Sequence, residues 1–353
     1  MKNKGYSILT IDHQSKISTA LQQMDKIGRK LLIVTCGGLY FSMLSIGDIQ
    51  RAIIKGVPLD ASIKEILRDQ VKVAKAEDDL EQIKASVLQK RNEYMPVISK
   101  TGVIEKVLFW EDLFQAGEKP MKKKLTTPVV IMAGGIGSRL RPLTNVLPKA
   151  LIPIGEKSIL EQIMDSFLEY GCKEYYLSIN HKAEMIKYYF KDLEGDYGKI
   201  HYVQEEDFWG TAGSIALIND RIKETFFVSN CDIMVDQDYA DILDYHVSHQ
   251  NEITVVVALL NVKIPYGVLN TDGEGQLESL SEKPELFYKI NTGLYVLEPS
   301  VLLDIPSNTV FHITDLIELL ISQRRKVGVF PISEKSWTDM GNWDEFLKQA
   351  KVR

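Results

Sequence analysis

Residues Pro128–Pro153 read PVVIMAGGIGSRLRPLTNVLPKALIP, and this stretch decides the fold of the chain. Its start, Pro128 to Met132, is a continuous apolar run bounded by proline and glycine, which is typical of a short buried strand. Gly134, Gly135 and Gly137 follow, so the backbone can turn tightly and present its N–H groups to an anion. The stretch therefore predicts a strand that leads into an anion-binding loop.

Cationic side chains follow the glycines. Arg139 and Arg141 can each grip a phosphate through two parallel hydrogen bonds, and Lys149 adds a compact, mobile charge. Together with the glycine loop they predict a cradle for a triphosphate. A purely structural alternative is a glycine-rich turn whose cations face solvent.

Two other phosphate-binding loops fit less well. A dinucleotide-binding βαβ unit needs a third glycine and an immediate helix. Here the third position is Leu140, and Pro142, Pro148 and Pro153 exclude a continuous helix. A Walker loop needs Gly-Lys-Ser/Thr at its end, and that sequence is absent.

The segment Ala133–Thr144, AGGIGSRLRPLT, followed by Pro148-Lys149, closely resembles the signature of the sugar-1-phosphate nucleotidyltransferases. The resemblance runs from Pro128 to the C-terminus. It implies that Arg139 and Lys149 are catalytic. It also implies a nucleotide-binding loop made of Ala133, Gly134, Gly135, Gly137 and Ser138.

Strand and helix patterns alternate after the loop. Ser158–Glu161 has the form of a capping box that begins a helix, and Gly171 is suited to end it. Strand-like runs follow near 174–180 and 201–204. This βα alternation predicts an α/β fold with a doubly wound, mostly parallel, Rossmann-like sheet that collects ligands at the carboxyl ends of its strands.

Later motifs extend the resemblance to the base and sugar sites. The family holds the base and ribose with its G-T-A-G turn, here Gly210 and Thr211 onward, and with residues just before it. Gln204, Glu205 and Glu206 are the candidates there, and the sequence does not decide among them. The family's sugar-pocket motifs imply that Lys283 orients the sugar phosphate. They also imply a sugar site formed by Gly267, Glu282, Asn291 and Thr292.

Two aspartates are the expected metal ligands. Asp232 ends a buried strand, and Asp339 lies in Trp337-Thr-Asp-Met-Gly, which matches the family's W-x-D-x-G. The resemblance implies that both hold Mg²⁺, an ion that commonly takes one or two carboxylates plus substrate phosphate.

The first 120 residues contain a weak internal repeat. Asp48 and Asp112 each open a helix after a strand and stand 64 residues apart, which predicts duplicated βαββα-like units. The arrangement resembles a tandem CBS pair, a smaller α+β module whose ligand motif ends in [ST]-x-x-D. Ser45 and Asp48 match it and imply a regulatory ligand such as an adenine nucleotide, whereas Phe109 departs from it. Helix capping is the alternative for both aspartates.

These patterns predict three parts of the chain: a CBS module at 1–120, a linker at 121–127 and a catalytic domain at 128–353. The polar stretch from Gly117 to Thr127 marks the boundary. We expect a homodimer formed through the CBS module, and dimerisation alone is the alternative to ligand-driven regulation.

Composition narrows the class of protein. The formal charge of −6 over 353 residues gives no reason to expect a nucleic-acid partner. Three unclustered cysteines and an N-terminus without an apolar core favour a cytoplasmic enzyme. The run Ile253–Leu260 is too short to span a bilayer, so no membrane association is expected.

The expected activity is transfer of a nucleotidyl group from an NTP to a hexose or hexosamine 1-phosphate. CBS-fused members often resemble guanylyltransferases, so GTP is the first choice, with dTTP, UTP and CTP as alternatives. A non-catalytic nucleotide sensor is the alternative from another class.

Overall fold

The computed structural model of the chain describes residues 6–69, 71, 73–90, 92–114, 122–205, 207–307 and 309–352. Its internal contacts divide the chain into two compact units, Met1–Met121 and Lys122–Arg353. Residue 121 of the expected linker and the base candidate Glu206 lie outside the described residues.

The first unit repeats one succession of elements: a strand, a helix, a hairpin and a second helix. In each half the first two strands pair in parallel and the last two pair antiparallel. The strands are Thr10–Asp12 (β1), Leu31–Cys36 (β2), Leu39–Ser45 (β3), Ala74–Lys75 (β4), Tyr94–Ile98 (β5) and Ile104–Phe109 (β6). The helices are Ile17–Ile27 (α1), Ile46–Ile54 (α2), Leu80–Lys90 (α3) and Trp110–Leu113 (α4), with 3₁₀ turns at Ser7–Leu9 and Ile63–Ile66.

The two halves of this unit share one apolar cluster. Leu31 and Ile33 from β2 pack in it with Tyr94 and Ile104 from the second half. The hydroxyl of Tyr94 donates a hydrogen bond to the carbonyl oxygen of Leu31, and burial raises the pKa of this tyrosine. The halves are therefore joined by both packing and a buried hydrogen bond.

The second unit is built on thirteen strands and eight helices among its described residues. The strands are Val129–Met132 (β7), Pro153–Ile154 (β8), Lys157–Ser158 (β9), Glu174–Ile179 (β10), Lys199–Gln204 (β11), Phe226–Asn230 (β12), Ile233–Val235 (β13), Ile253–Lys263 (β14), Gly267–Thr271 (β15), Leu277–Glu282 (β16), Glu285–Leu297 (β17), Val327–Ser333 (β18) and Trp337–Asp339 (β19). The helices are Leu143–Val146 (α5), Ile159–Leu168 (α6), Ala183–Phe190 (α7), Glu194–Tyr197 (α8), Gly210–Ala216 (α9), Tyr239–His249 (α10), Ile313–Ser322 (α11) and Trp343–Val352 (α12). Short 3₁₀ turns lie at Ser138–Leu140, Lys149–Leu151, Pro299–Asp304 and Glu334–Ser336.

A seven-stranded sheet in the order β11-β10-β7-β12-β17-β14-β18 forms the centre of this unit. The predicted α/β fold with a mostly parallel sheet is confirmed, although β17 runs antiparallel to both its neighbours. Alternate residues of β7 enter two apolar clusters: Val129 and Ile131 enter one, Val130 and Met132 the other. The sheet is thus covered on both faces, as a doubly wound fold requires.

Local signals place the elements around the sheet. Ser158 and Glu161 form the predicted capping box at the start of α6, with hydrogen bonds of 3.2 and 2.7 Å. Gly171 follows that helix in the left-handed conformation, at φ +89°. The prolines confine the stretch after the glycine loop to 3₁₀ and single-turn pieces, as predicted.

The carboxyl ends of the parallel strands β7, β10, β11 and β12 meet at one edge of the sheet. The glycine loop, Asn180, Glu205 and Asp232 directly follow these strands, so the topology gathers them at this edge. Among the helices that the structure describes, none has the length and apolar character needed to cross a bilayer.

Candidate active site

The loop after β7 presents its backbone to solvent. Within the described residues, no hydrogen bond engages the N–H groups from Gly135 to Ser138. Gly137 adopts φ +68°, and a Cβ there would lie 2.9 Å from side-chain carbons of both Lys149 and Thr144. Glycine is therefore required for this loop to close over Lys149, and its amides are oriented as an anion-binding nest.

Asp232 and Asp339 meet through a small sheet of their own. Strand β13, just after Asp232, pairs antiparallel with β19, so that Ile233 lies opposite Asp339. The N–H of Met340 donates to the carbonyl oxygen of Asp232 at 2.7 Å. This pairing brings together two carboxylates that are 107 residues apart in the sequence.

Two cations contact these carboxylates. Arg139 donates from Nη1 to Asp339 Oδ2 at 3.0 Å and from Nη2 to Asp232 Oδ2 at 3.1 Å. The Lys149 ammonium also donates to Asp232. The Lys149 side chain is 9% exposed and that of Arg139 is 60% exposed. The lysine is therefore enclosed by the protein, whereas the arginine contacts the carboxylates from the solvent side.

Gly341 leaves space for this cluster. A Cβ at this position would lie 2.6 Å from Asp232 Oδ2 and 2.6 Å from Lys149 Nζ. It would also lie 2.8 Å from a guanidinium nitrogen of Arg139. These separations are too short for real contacts, so any side chain at 341 would displace the charged groups.

The donor set suits a divalent ion that shares its coordination with phosphate. No group of three or more potential ligands occurs among the described residues. Asp232 and Asp339 supply carboxylate oxygens, which a hard ion such as Mg²⁺ prefers, and Mg²⁺ usually takes one or two carboxylates from the protein. The residues therefore fit such an ion if the substrate supplies further oxygens.

Glu205 is the base candidate that faces the glycine loop. It is 7% exposed, and a Cβ at Gly134 would lie 2.9 Å from its Oε1. Ser178 donates to the same oxygen at 2.8 Å. Its other oxygen, Oε2, accepts from the N–H of Trp209 at 3.4 Å. Burial raises the pKa of Glu205, and the hydrogen bonds from Ser178 and Trp209 oppose that shift. Its neighbour Gln204 is exposed and accepts instead from Lys187 at 2.7 Å.

The turn at Gly210 is held from within the protein. The carbonyl oxygen of Phe311 accepts from the N–H groups of Ala212 and Gly213, each at 3.0 Å. The Thr211 hydroxyl accepts from the N–H of Ile313 at 2.9 Å. The turn is thus anchored to the segment before α11 through Thr211, Ala212 and Gly213.

The Asn-Thr-Gly segment of β17 is tied to the two-stranded sheet formed by β13 and β19. Thr292 is 2% exposed, and its hydroxyl donates to Val256 at 2.7 Å, so its side chain faces the sheet. The indole N–H of Trp337 donates to the carbonyl oxygen of Thr292 at 3.1 Å. Asn291 remains exposed, and its amide donates to the hydroxyl of Tyr295 at 2.8 Å.

The other sugar candidates lie on the hairpin β15–β16 and just after it. Gly267 pairs with Glu282, and a Cβ at Gly267 would lie 3.0 Å from its Oε2. Lys283 adopts φ +46° and donates its N–H to the carbonyl oxygen of Tyr266 at 3.2 Å. The side chains of Glu282 and Lys283 are 68% and 69% exposed. Both are accessible to a ligand.

Cys231 and His246 are buried in the core rather than exposed in the charged cluster. Cys231 precedes Asp232, but burial raises the pKa of its thiol to about 12, so it is not a nucleophile near neutral pH. His246 is fully buried between Thr254 and Glu298, and burial lowers its pKa. These residues belong to the core.

In the first unit, Ser45 and Asp48 form a complete capping box at α2. The N–H of Ser45 donates to Asp48 at 2.9 Å, and the N–H of Asp48 donates to the Ser45 hydroxyl at 3.3 Å. Asp48 also pairs with Arg51 and, at 3.0 Å, with Arg68. Both arginines are more than half exposed, so two guanidinium groups face solvent beside this helix N-terminus.

Four supporting residues were not predicted from the sequence. Ser178 holds Glu205, Tyr295 holds Asn291, Trp337 of β19 anchors β17, and Gly341 makes room for the charged cluster. Trp337 and Gly341 stood inside a recognised motif, which was a signal that could have found them. The other two lie on buried strand segments that look like ordinary core.

Known proteins match the second unit. Residues 128–352 match the family model described as Nucleotidyl transferase. The probable mannose-1-phosphate guanylyltransferase 1 of Oryza sativa subsp. japonica is 38% identical over 181 residues, which are 49% of this chain and 50% of that protein. The mannose-1-phosphate guanyltransferase of Pichia angusta is 33% identical over 228 residues, 62% of each chain. The chain thus spans about half to three fifths of these relatives.

Solved structures share the fold. The crystal structure of HddC from Yersinia pseudotuberculosis superimposes with a TM-score of 0.51 at 24% identity, and covers 64% of this chain and 99% of that one. Its complex with GMP-PN gives the same TM-score of 0.51 at 23% identity. At these identities the likeness establishes the fold.

Proposed function

The chain belongs to the nucleotidyl transferase family through residues 128–352, and on that premise we propose that it transfers a nucleotidyl group from an NTP to a sugar 1-phosphate, with pyrophosphate as the second product. GTP and mannose 1-phosphate are the proposed substrates, because relatives from two organisms are named for that reaction. The observation that carries the proposal is the cluster of Arg139, Lys149, Asp232 and Asp339 beside a loop of unpaired amides.

The proposed reaction asks mainly for positioning and charge neutralisation. A phosphate oxygen of the sugar 1-phosphate attacks the α-phosphorus in line as the bond to pyrophosphate breaks. The loop amides from Gly135 to Ser138 hold the triphosphate, and Arg139 and Lys149 stabilise charge on the transferring and leaving phosphates. No nucleophilic side chain is needed, because the attacking oxygen is already ionised at neutral pH.

Nucleotidyl transferases of this family generally use a divalent metal ion. We propose Mg²⁺, with Asp232 and Asp339 as its protein ligands. When bound, the ion would supply positive charge at the phosphate oxygens.

Glu205 supports guanine as the base. A carboxylate offers two acceptors, and guanine presents two adjacent donors, its N1–H and its 2-amino group. Uracil and thymine present one N–H between two carbonyl oxygens, which a carboxylate would repel. Adenine and cytosine present an amino group beside an acceptor nitrogen. Because Glu205 adjoins the phosphate loop at Gly134, a base held there stays close to its own triphosphate.

The sugar 1-phosphate is proposed to bind at Gly267, Glu282 and Asn291, with Lys283 directed to its phosphate. Their exposure supports this role. Thr292 would contribute through its backbone, because its hydroxyl is engaged with Val256. Gly210 and Thr211 would border the base and ribose as a rigid wall.

We further propose that residues 1–120 form a CBS-like module that binds an adenine nucleotide and regulates turnover. The duplicated topology and the exposed Arg51 and Arg68 beside Ser45 and Asp48 support this proposal. Guanidinium groups at a helix N-terminus suit phosphate. Dimerisation through the module is the second proposed role.

The direct test is pyrophosphate release by the full chain with GTP, dTTP, UTP or CTP and a panel of hexose and hexosamine 1-phosphates. We expect the highest kcat/KM with GTP and mannose 1-phosphate. A different preferred NTP would reassign the base while keeping the reaction. Absence of release from every pair, with nucleotides still bound, would identify a non-catalytic sensor.

A further inference from the structure

The guanidinium of Arg139 bridges the two carboxylates that are the proposed metal ligands. It contacts Asp339 Oδ2 at 3.0 Å and Asp232 Oδ2 at 3.1 Å. With the ammonium of Lys149, two positive groups face two negative ones, so the cluster is formally neutral. A cation that enters this cluster gains little attraction while Arg139 remains in it.

The two cations differ in their freedom to leave. Lys149 is 9% exposed and enclosed by Gly137 and Gly341, so it has nowhere to move without disturbing the loop. Arg139 is 60% exposed, and its backbone lies in the phosphate loop itself. A long, exposed side chain exchanges partners at low cost, because its ion pair is screened by water.

We infer that Arg139 is an exchangeable counter-ion that excludes the metal from Asp232 and Asp339 until a triphosphate draws it away. The inference rests on the proposed function, since it assigns Arg139 to phosphate when the nucleotide is bound. Bidentate contacts to phosphate oxygens replace those to the carboxylates. The metal then enters with the nucleotide, and the nucleotide-free protein binds free metal weakly.

Metal binding without turnover tests this order. Mn²⁺ is titrated into the full chain without nucleotide, and free Mn²⁺ is followed by electron paramagnetic resonance. The variant R139M removes the guanidinium, and R139K keeps the charge but cannot bridge both carboxylates. The control R141M removes an equal charge two residues away, where no ion pair to a carboxylate occurs within the described residues.

We expect R139M to bind Mn²⁺ at least tenfold more tightly than the wild type and R141M, with R139K between them. Adding D232N to R139M should abolish the gain. Equal or weaker binding by a folded R139M, or an equal gain in R141M, would overturn the inference.

A reciprocal measurement tests the exchange from the other side. In D339N, Arg139 has one carboxylate fewer to leave, so calorimetry in EDTA should show tighter binding of metal-free GTP than in the wild type. Unchanged or weaker binding contradicts the exchange. Pyrophosphate release by the wild type, together with an unaltered Mn²⁺ affinity in R139M, would overturn this inference and leave the proposed function intact. A gain in Mn²⁺ affinity in R139M, without any pyrophosphate release by the wild type, would do the reverse.

Discussion

The N–H of Met340 donates to the carbonyl oxygen of Asp232 at 2.7 Å, and this backbone bond helps to hold together the two segments that carry the acidic side chains of the charged cluster. It extends the pairing of β13 with β19, so the backbones that carry the two carboxylates are held side by side. A site placed in this way is pre-organised, since little rearrangement is left to the reaction.

Replacing either aspartate should abolish turnover and leave the fold intact. D232N and D339N each remove a carboxylate from the proposed metal pair, and we expect kcat to fall by at least on the order of 10²–10³. Steady-state pyrophosphate release measures the loss, and thermal unfolding monitors the fold. D344N is the matched control, because Asp344 is exposed nearby on α12. Wild-type turnover in folded D232N would remove Asp232 from the reaction.

Arg139 should act more on the reaction rate than on binding. R139M is expected to lower kcat by on the order of 10²–10³, with a smaller change in KM for GTP. The reason is that the negative charge neutralised by the Arg139 guanidinium develops during transfer. R221M serves as a surface control. A raised KM with unchanged kcat would make Arg139 a binding residue only.

The smallest possible side chain at position 341 should damage the site. In G341A the Cβ would lie within 2.8 Å of three charged side chains, so we expect a large loss of kcat with a modest fall in Tm. G273A is the matched control, since a Cβ there meets nothing within 4 Å. Equal activities of the two variants would show that the cluster adjusts freely.

Recognition of guanine should depend on pH through Glu205. Only its ionised form accepts from both guanine donors, and burial raises its pKa. Affinity for GTP should therefore fall as pH drops through that raised pKa, closer to neutrality than for an ordinary carboxyl group. Calorimetry between pH 5 and 8 measures the affinity for GTP of the wild type and of E205Q. The titration of GTP itself affects both proteins equally, so it cancels in the comparison.

E205Q should bind GTP about 10- to 100-fold more weakly at neutral pH, because a charge-assisted hydrogen bond is worth about 1.5–3 kcal/mol. Its affinity should no longer respond to Glu205 titration. E278Q, on the exposed hairpin, should behave as the wild type. A pH profile shared by E205Q and the wild type would show that Glu205 does not contact the base.

Adenine nucleotides should regulate the full chain through its first unit. We expect AMP or ATP to raise Tm and to change substrate affinity by roughly 5- to 150-fold at most, the usual range of coupling between sites. R68M should weaken the response, because Arg68 is one of the two exposed partners of Asp48, and K64M should not. If millimolar adenine nucleotide changes neither Tm nor substrate affinity, dimerisation would remain as the proposed role of the module.

Sequence patterns predicted those features of the fold that depend only on neighbouring residues. The capping box at Ser158, the glycine loop and the breaks at the prolines depend on neighbouring residues, and all are present. The antiparallel course of β17 was not predictable, because its direction is fixed by pairing with strands far away in the sequence. The direction in which a strand pairs is a tertiary property, which local sequence does not determine.

The site shows the same division between local and distant causes. Sequence alone could not tell which of Gln204 and Glu205 lies against the glycine loop, because that depends on a contact with Gly134 across the sheet edge. Thr292 looked like a sugar ligand beside Asn291. An irregular pairing between β14 and β17 turns its side chain inward, and no local pattern announces that shift.

The contact between Gly134 and Glu205 limits how this protein could be retargeted by laboratory evolution. A larger side chain at 205 would press directly on the triphosphate loop. No second-site change at 134 could relieve that pressure, since glycine is already the smallest residue. New base preferences would have to come from replacements that match the size of glutamate. Diversity at position 205 is therefore limited by the glycine loop that it contacts.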